Sequence, residues 1–476
     1  MIPLTLAEIA QAVDGRLDRV ADPTTMVTGP VVVDSRLAGP GGLFVALPGE
    51  HTDGHEHAAA AVARGVVAVV VARAVGVPAV VVADPLVALG RLARAVRDRL
   101  ATSGGGPVVV GITGSSGKTT TKDLLAHVLA PLGPVVAPPG SYNNEVGLPL
   151  TVLRADAGTP VMVLEMGARS AGHIRELTRI APPRIGVVLN VGSAHLGEFG
   201  SRAAIARAKS ELVQALPVDG LAVLGVDDPV VAQMAAVTPA PVLGFGQGGQ
   251  AAVRAVDVEL DARGRAGFRL VVAAGEATVH LRLVGEHQVG NALAAAAVAV
   301  HLGLRVDEVA ERLSTAVLAS HWRMEVSQRG DGVTVINDAY NANPESVRAA
   351  LKSLVVLARG RRTWAVLGPM RELGAASLAE HDAIGRLVVR LNVERLVVVG
   401  EDARPVHLGA SLEGSWSGES VIVPDVQAAV ELLRRHVLPG DVVLVKASRA
   451  QGLEAIAEAL LVEPTPGADT PDRPRR

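Results

Sequence analysis

Residues 109–122 read VVGITGSSGKTTTK: an apolar run, a glycine-rich turn, a Lys-Thr pair and the start of a helical pattern. A buried strand that turns through glycines into a helix is the repeating unit of parallel α/β sheets. Gly111, Gly114 and Gly117 let backbone N–H groups approach a phosphate, and the helix beginning near Lys118 points its positive end at the same place. Gly114, Ser115, Ser116, Gly117, Lys118, Thr119 and Thr120 are therefore the expected phosphate-binding residues, with Lys118 reaching the β- and γ-phosphates and Thr119 holding Mg²⁺. Leu124, Leu125, Val128, Leu129 and Leu132 recur at helical spacing and support the helix. The strict G-x-x-x-x-G-K-S/T pattern fails at its first glycine, which falls on Ile112, so a glycine turn without phosphate is the competing reading.

The chain has 476 residues, too many for one ordinary core and suited to about three domains of ~150 residues. Its formal net charge of -3 gives no basic footprint for nucleic acid. The absence of cysteine excludes disulfides, thiolate metal sites and thiol catalysis. The start, MIPLTLAEIAQAVDG, carries Glu8 and Asp14 with no basic lead into an apolar run, and does not read as a signal peptide. Apolar tracts such as GVVAVVVARAVGVPAVVVADP are broken by Arg, Pro and Asp before reaching ~18 residues, so no membrane insertion is expected. These features predict a soluble, cytoplasmic chain. Of 45 basic residues only five are lysine (118, 122, 209, 352 and 446), which makes each lysine a better candidate than usual for a special role.

The organisation predicted is α/β in three domains. Residues 1–105 form an N-terminal α/β domain closed by the helix-like VALGRLARAVRDRLA, with TSGGGP at 102–107 as linker. Residues 106–320 form a central parallel-sheet domain whose clearest strands are VVVGITG, PVMVLEMG and RIGVVLNVG. Around 251–284 the alternation of Val279, Leu281 and Leu283 with His280 and Arg282 predicts a small antiparallel ribbon. A third, doubly wound Rossmann-like domain, 321–462, shows its strands from Val333 onward, and the tail 463–476 is expected to be disordered.

Three further residues carry possible chemistry. Glu165 ends the strand PVMVLE and His195 lies just past RIGVVLN; in an open parallel sheet both share one edge with the phosphate loop. Mg²⁺ prefers hard oxygen ligands, which makes Glu165 fitting and His195 less usual. In SRAAIARAKSELVQALP, Ser201 can cap a helix on which Lys209 shares the apolar face of Ile205, Leu212, Val213 and Leu216. Lys209 then either lays its stem on the core with its ammonium in water, or sits shielded with a lowered pKa. In the second case its neutral amine can take up CO₂ and become a carbamate, an anion with oxygen ligands for a second Mg²⁺.

At this point the motifs TGSSGKTTTK, LEMGA, NVGSAHLGEFGS, IARAKSEL, GEHQVGNALAAAA, HWRMEV and NDAYNANPES follow one another in an order that resembles the Mur ligase family of ATP-dependent amide-forming enzymes. VVVDSR followed by GGLFVALPGEHTDGHEHAAAAVARG also looks like that family's UDP-sugar-binding domain, so the resemblance covers nearly the whole chain. SYNNEVGLPLTVL, NDAYNANPES and LGPMRELG are most similar to the member that joins D-alanyl-D-alanine to a UDP-N-acetylmuramoyl tripeptide. The resemblance implies that ATP phosphorylates the tripeptide's terminal carboxylate and that the dipeptide amine attacks the acyl phosphate, giving a pentapeptide for peptidoglycan. It also implies Mg²⁺, a monomer that takes small-molecule substrates, and closure of the third domain over the site.

Residue by residue, the resemblance places Lys118 and Thr119 at the phosphates and first magnesium, Glu165 at the magnesium carboxylate, and His195 at the second magnesium. Lys209 falls on the carbamylated lysine. Asn291 matches the adenine-reading asparagine, and Arg323 and Asp338 the residues that close over γ-phosphate and ribose. Ser35 and Arg36 lie in the uridine motif, and Asn143 and Asn144 in the loop meeting the muramoyl substrate. Tyr340, Asn341 and Asn343 are expected near the nucleotide or dipeptide. Two departures stand out: Gln288 where the family usually has Asn, which leaves adenine resting on Asn291, and Pro369 where Asp is common, which bears on the dipeptide loop. The alternatives are a sister ligase adding a diamino acid, a folylpolyglutamate-type ligase, and a nucleotide-binding regulator without catalysis.

Overall fold

The computed structural model describes residues 1–49, 52–102, 105–193, 196–414, 416 and 419–462. The predicted tail 463–476 and His195 lie outside the described residues. Three α/β bodies follow one another along the chain, each built on its own main sheet.

The central body carries a nine-stranded sheet. Its spatial order is Gly275–Val284, Arg265–Val272, Val253–Leu260, Val242–Gly246, Leu221–Gly225, Ile185–Val188, Val108–Thr113, Val161–Glu165 and Val135–Val136. From Val253–Leu260 to Val135–Val136 all neighbours are parallel. Strands such as Val161–Glu165 are buried on both faces, which is why they read as continuous apolar runs without alternation. Val108–Thr113, first of the parallel strands in the chain, lies between Val161–Glu165 and Ile185–Val188. From it the chain runs to Val135–Val136 on one side, returns to Val161–Glu165 and then crosses to Ile185–Val188 on the other side, so the direction of winding reverses here and a crevice opens at its carboxyl end. The predicted ribbon is three antiparallel strands, and its first strand pairs in parallel with Val242–Gly246, making it an extension of the main sheet. Val279 and Leu281 are buried and His280 and Arg282 exposed, as the period of two requires.

The phosphate-loop helix spans Lys118–Val128 and stops short of the predicted Leu129 and Leu132, which fall in a following turn and a 3-10 segment, Ala130–Leu132. Pro131 accounts for the stop, since it has no N–H to continue the ladder. This helix packs on Gln288–His301, whose Ala292–Ala299 run is wholly buried. Alanine there lets two helices and the sheet approach closely without losing helix propensity.

The N-terminal body has a five-stranded sheet, and its closing helix, Pro85–Thr102, joins its core to one face of the central sheet. The third body has a six-stranded sheet in the order Glu325–Gln328, Thr334–Asn337, Val442–Lys446, Thr363–Leu367, Arg395–Val399 and Ser420–Val423. The antiparallel edge strand Glu325–Gln328 precedes Val333 and went unread in the sequence, because its residues are mostly exposed and polar. Among the described residues no helix is long and apolar enough to cross a membrane.

In the third body, helices Ser377–Arg390 and Arg404–Ser411 touch backbone to backbone: a Cβ on Gly385 would overlap the Val406 carbonyl oxygen, and one on Gly409 the Asp382 carbonyl. Gly385→Ala is expected to destabilise this body by about 1–3 kcal/mol. Trp322, Trp364 and Trp416 all lie in it. Urea unfolding followed by tryptophan fluorescence reads the loss directly, and an unchanged midpoint would refute the close-contact argument.

Candidate active site

The crevice at the end of Val108–Thr113 is filled by the loop Gly114–Gly117, which Asn190 holds in shape. The Asn190 side-chain Oδ1 accepts from Ser115 N (3.1 Å) and Ser116 N (3.0 Å), and its Nδ2 donates to the Ser116 carbonyl (3.2 Å). Gly117 takes φ of 85°, open to glycine at little strain, and a Cβ there would run into Asn291 Oδ1. Lys118 Nζ donates to the Gly114 carbonyl at 2.6 Å, folded back over the loop. A loop of N–H groups with a helix N-terminus and an ammonium above it has the geometry that suits a phosphate.

Beside the loop, Thr119 Oγ1 lies 2.7 Å from Ser141 Oγ and donates to Glu165 Oε2 at 3.3 Å. Glu165 is fully buried, and its Oε1 has no hydrogen-bond partner. Burial pushes this carboxyl above its ordinary range, against the opposing pull of Arg323, Lys118 and Lys122. An orphaned carboxylate oxygen next to a threonine hydroxyl is a hard-oxygen donor set, which fits Mg²⁺. Among the described residues no three His, Asp or Glu converge on one point. Mg²⁺ needs no such cage, since it is usually held by one or two protein ligands with water and phosphate completing its shell.

Lys209 is 3% exposed and does not line the cleft. Burial, with the charge of Lys118 adding, lowers its pKa well below the usual lysine value. Of the two sequence readings, the solvent-reaching ammonium is thereby excluded. Lys122 and Lys446 are also buried, leaving Lys352 the exposed lysine of the five. Lys122 pairs with Asp123 at 2.5 Å and donates to the Pro138 carbonyl and Ser320 Oγ. Asp123 Oδ2 accepts from Ser320 N, so this pair fastens the phosphate-loop helix to the segment leading into the third body.

The third body covers the loop. Arg323 donates to Ser141 Oγ at 2.8 Å and stacks over Tyr340, 4.2 Å from the ring centroid. Asn343 Nδ2 reaches the Ser115 carbonyl at 3.3 Å. Glu345 accepts from Ser193 N and Oγ, both at 2.9 Å, and Gly197 N donates to the Glu372 carbonyl. Asp338 Oδ2 accepts from Lys446 Nζ at 2.6 Å, which leaves its Oδ1 to take Met324 N.

One cleft of about 1030 Å³ is lined by Ser115 to Thr120, Asn143, Asn144, Glu165, Asn291, Arg323, Asp338, Tyr340, Asn341 and Asn343. Ser35 and Arg36 stand apart from it, in the short helix Ser35–Leu37, with Arg36 ion-paired to Asp34 at 2.7 Å. Asn291 donates to Gln288 Oε1 (2.8 Å) and accepts from Thr121 Oγ1 (3.4 Å), so the Gln288 departure orients the asparagine. Pro369 lends only its carbonyl, to Ser448 N, while His381 and Ser448 Oγ hold Met370 N and Arg371 N. The loop therefore keeps its anchors without an acidic residue at that position.

Asn190, Ser141, Glu345 and Lys446 were not among the predicted site residues. Asn190 lies two residues past a strand end, much as Glu165 closes its own strand, and Lys446 is one of the scarce lysines, so both had a legible signal. Ser141 and Glu345 fall inside the quoted motifs SYNNEVGLPLTVL and NDAYNANPES, but no side-chain role was read for them there.

Residues 112–299 match the Mur ligase middle domain, 322–449 the Mur ligase glutamate ligase domain, and 30–97 the Mur ligase family catalytic domain. The UDP-N-acetylmuramoyl-tripeptide--D-alanyl-D-alanine ligase of Mycobacterium tuberculosis (strain ATCC 25618 / H37Rv) is 52% identical, over 99% of this chain and 100% of that one. A UDP-N-acetylmuramoylalanyl-D-glutamyl-2,6-diaminopimelate--D-alanyl-D-alanyl ligase structure from Acinetobacter baumannii superposes with TM-score 0.83 at 32% identity, covering 97% and 99% of the two chains. The MurF ligase of Thermotoga maritima, in complex with ADP, gives TM-score 0.78 at 31% identity, covering 91% and 97%.

Asn190→Ala removes the acceptor that two loop N–H groups share. Each such bond contributes about 1 kcal/mol, so the two together are expected to raise the Kd for ATP with Mg²⁺ about thirtyfold. Isothermal titration calorimetry checks it; an unchanged Kd would mean the loop holds its shape without Asn190.

Proposed function

The chain belongs to the Mur ligase family, and we propose that it is the ATP-dependent ligase that joins D-alanyl-D-alanine to a UDP-N-acetylmuramoyl tripeptide. The observation that carries this reading is the meeting, in one cleft, of a phosphate loop, a buried orphaned carboxylate and a covering arginine from the third body. Full-length identity of 52% to a relative with that name supports it. We keep the division 1–105, 106–320 and 321–462 as its working parts: muramoyl binding, ATP binding and ligation.

In this reading the loop Gly114–Gly117 and Lys118 bind the phosphates of ATP and hold the γ-phosphoryl group facing the tripeptide carboxylate. Two anions must meet, so neutralising charge at that point lowers the barrier. Thr119 and Glu165 would hold Mg²⁺, with His195 and the Lys209 carbamate at a second ion; bound there, the metal supplies charge neutralisation and orientation of the phosphates. Arg323 approaches from the third body, and with Tyr340, Asn341 and Asn343 it shields the acyl phosphate from water until the dipeptide amine attacks. Asn143 and Asn144 face the muramoyl peptide, Asn291 the adenine and Asp338 the ribose, while Ser35 and Arg36 hold the uridine at the far end of the substrate. ATP and a nucleotide-linked sugar peptide set the cytoplasm as the place of reaction.

Carbamate formation at Lys209 needs only its neutral amine: the Nζ lone pair bonds to the carbon of CO₂ and one N–H proton leaves. Because burial lowers the folded pKa below the ordinary 10.5, the neutral amine is present at lower pH than on a free lysine. The modification is thus lost as pH falls through that lowered value. A ¹³C-bicarbonate NMR signal that vanishes in Lys209→Ala, together with partial rescue of that variant by a short-chain carboxylic acid, is the expected result. Turnover indifferent to both would leave Lys209 a plain buried amine.

The ligase assignment is tested by phosphate release from ATP and Mg²⁺ with a UDP-muramoyl tripeptide. Release that depends on D-alanyl-D-alanine and yields the pentapeptide is expected. Release with a diamino acid or glutamate in its place would move the chain to a sister activity, and no release with any amine would favour a non-catalytic nucleotide binder.

A further inference from the structure

Arg323, which the third body holds over the phosphate loop, stands between two residues whose backbone their own side chains disfavour. Trp322 has φ of 58° and Met324 φ of 51°, both in the left-handed region, where a bulky residue is a genuine outlier. Such strain persists only where surrounding groups over-determine it. We infer that Arg449 holds the Trp322 half of this kink and is thereby a positioning residue for Arg323, setting its guanidinium where the γ-phosphate of ATP binds. The inference rests on the proposed reading of Arg323 as the group that meets that phosphate.

Both flanks of Arg323 are fastened from one point of the fold, the end of the strand Val442–Lys446. Lys446 Nζ donates to Asp338 Oδ2 at 2.6 Å, and Asp338 Oδ1 accepts from Met324 N at 3.1 Å. Three residues past Lys446, the Arg449 guanidinium lies over the Trp322 ring, 4.3 Å from its centroid. Glu454, at the start of the helix Glu454–Leu461, pairs with Arg449 Nη1 and keeps it there. The Trp322 backbone is taken on both sides: its N–H donates to Glu325 Oε2 (3.2 Å) and its carbonyl accepts from Tyr340 N (3.2 Å). Tyr340 is also the residue on whose ring Arg323 stacks.

The consequence falls on Arg323. With the backbone set on either side of it, the direction of its stem is set as well, and the stem carries the guanidinium across to the central body. There Arg323 Nη2 donates to Ser141 Oγ at 2.8 Å, and Ser141 Oγ lies 2.7 Å from Thr119 Oγ1 of the phosphate-loop helix. Arg323 Nε is buried with no hydrogen-bond partner. A guanidinium with an unused buried donor beside a phosphate loop suits an oxyanion. Arg449 lines the same cleft, but it is half-exposed, and its guanidinium is already engaged by Glu454 and by the Trp322 face. Its influence on a nucleotide therefore runs through Trp322 to Arg323.

The test is calorimetry of ATP and of ADP, each with Mg²⁺, on the full chain. Arg449→Gln keeps a hydrogen-bond donor for Glu454 and removes the cation from the ring. It is expected to raise the Kd for ATP about fivefold, the scale of one cation–π contact, and to leave the Kd for ADP, which has no γ-phosphate, unchanged. Arg449→Lys returns a cation to the ring and restores most of the affinity. Arg323→Ala raises the Kd for ATP about tenfold, the scale of one charge-assisted hydrogen bond, and adding Arg449→Gln to it has no further effect, because residues acting through one another are not additive. Unchanged urea midpoints are expected for both Arg449 variants. An equal loss for ATP and ADP, no loss in Arg449→Gln, a loss that persists in the Arg323→Ala background, or an Arg323→Ala variant that binds ATP as the wild type does overturns the inference. A wild type that binds ATP but releases no phosphate with the tripeptide and D-alanyl-D-alanine overturns the ligase reading instead, while the calorimetric cycle still decides the role of Arg449.

Discussion

The structure depends on the position of one strand. Val108–Thr113 has parallel neighbours on both sides, and the chain winds first to one side of it and then to the other. A loop of backbone N–H groups occupies the space above its carboxyl end. Glu165 and Asn190 end the two neighbouring strands or follow them closely, and for that reason alone they meet the loop from either side. The chemistry of the cleft is thus set by sheet topology before any catalytic group is considered.

That placement carries an electrostatic burden. Glu165, Lys209, Lys122 and Lys446 are almost completely removed from water. Burying an ion is costly unless it is paired, and these four meet the cost differently. Lys122 is held by Asp123, the Pro138 carbonyl and Ser320 Oγ, and Lys446 by Asp338 and the Asn341 carbonyl, and they fasten the connection to the third body and the Asp338 loop. Glu165 and Lys209 are left with charges that the fold disfavours. The first pair has its charges met by neighbouring groups and the second does not, a division made by partners and not by burial.

The helix after the phosphate loop, the βα series and the alternating ribbon were legible in the sequence because each is a local period. Glu165 was legible because a polar residue ended an apolar strand. Lys209 was legible as a charge on an apolar face, although its two readings could be separated only once its burial was known. Ser141 and Glu345 lay in quoted motifs, yet their roles were not legible: each acquires its place by touching a residue more than a hundred positions away. The edge strand Glu325–Gln328 was missed because an exposed polar strand has no apolar period, and it exists only by pairing with Thr334–Asn337.

What the sequence by itself determined is the inventory: three α/β bodies, a phosphate loop, the acidic and basic residues at strand ends, and a run of motifs that resembles one family. These follow from properties that repeat within a few residues, such as side-chain period, glycine turns and helix caps. Only the tertiary structure decided which of those groups share a cleft, that Gln288 orients Asn291 and that Arg323 stacks on Tyr340 above the loop. It also separated Ser35 and Arg36 from that cleft. The reason is physical: burial and charge pairing are set by neighbours from distant parts of the chain, and the sequence order of those neighbours carries no record of the distance between them.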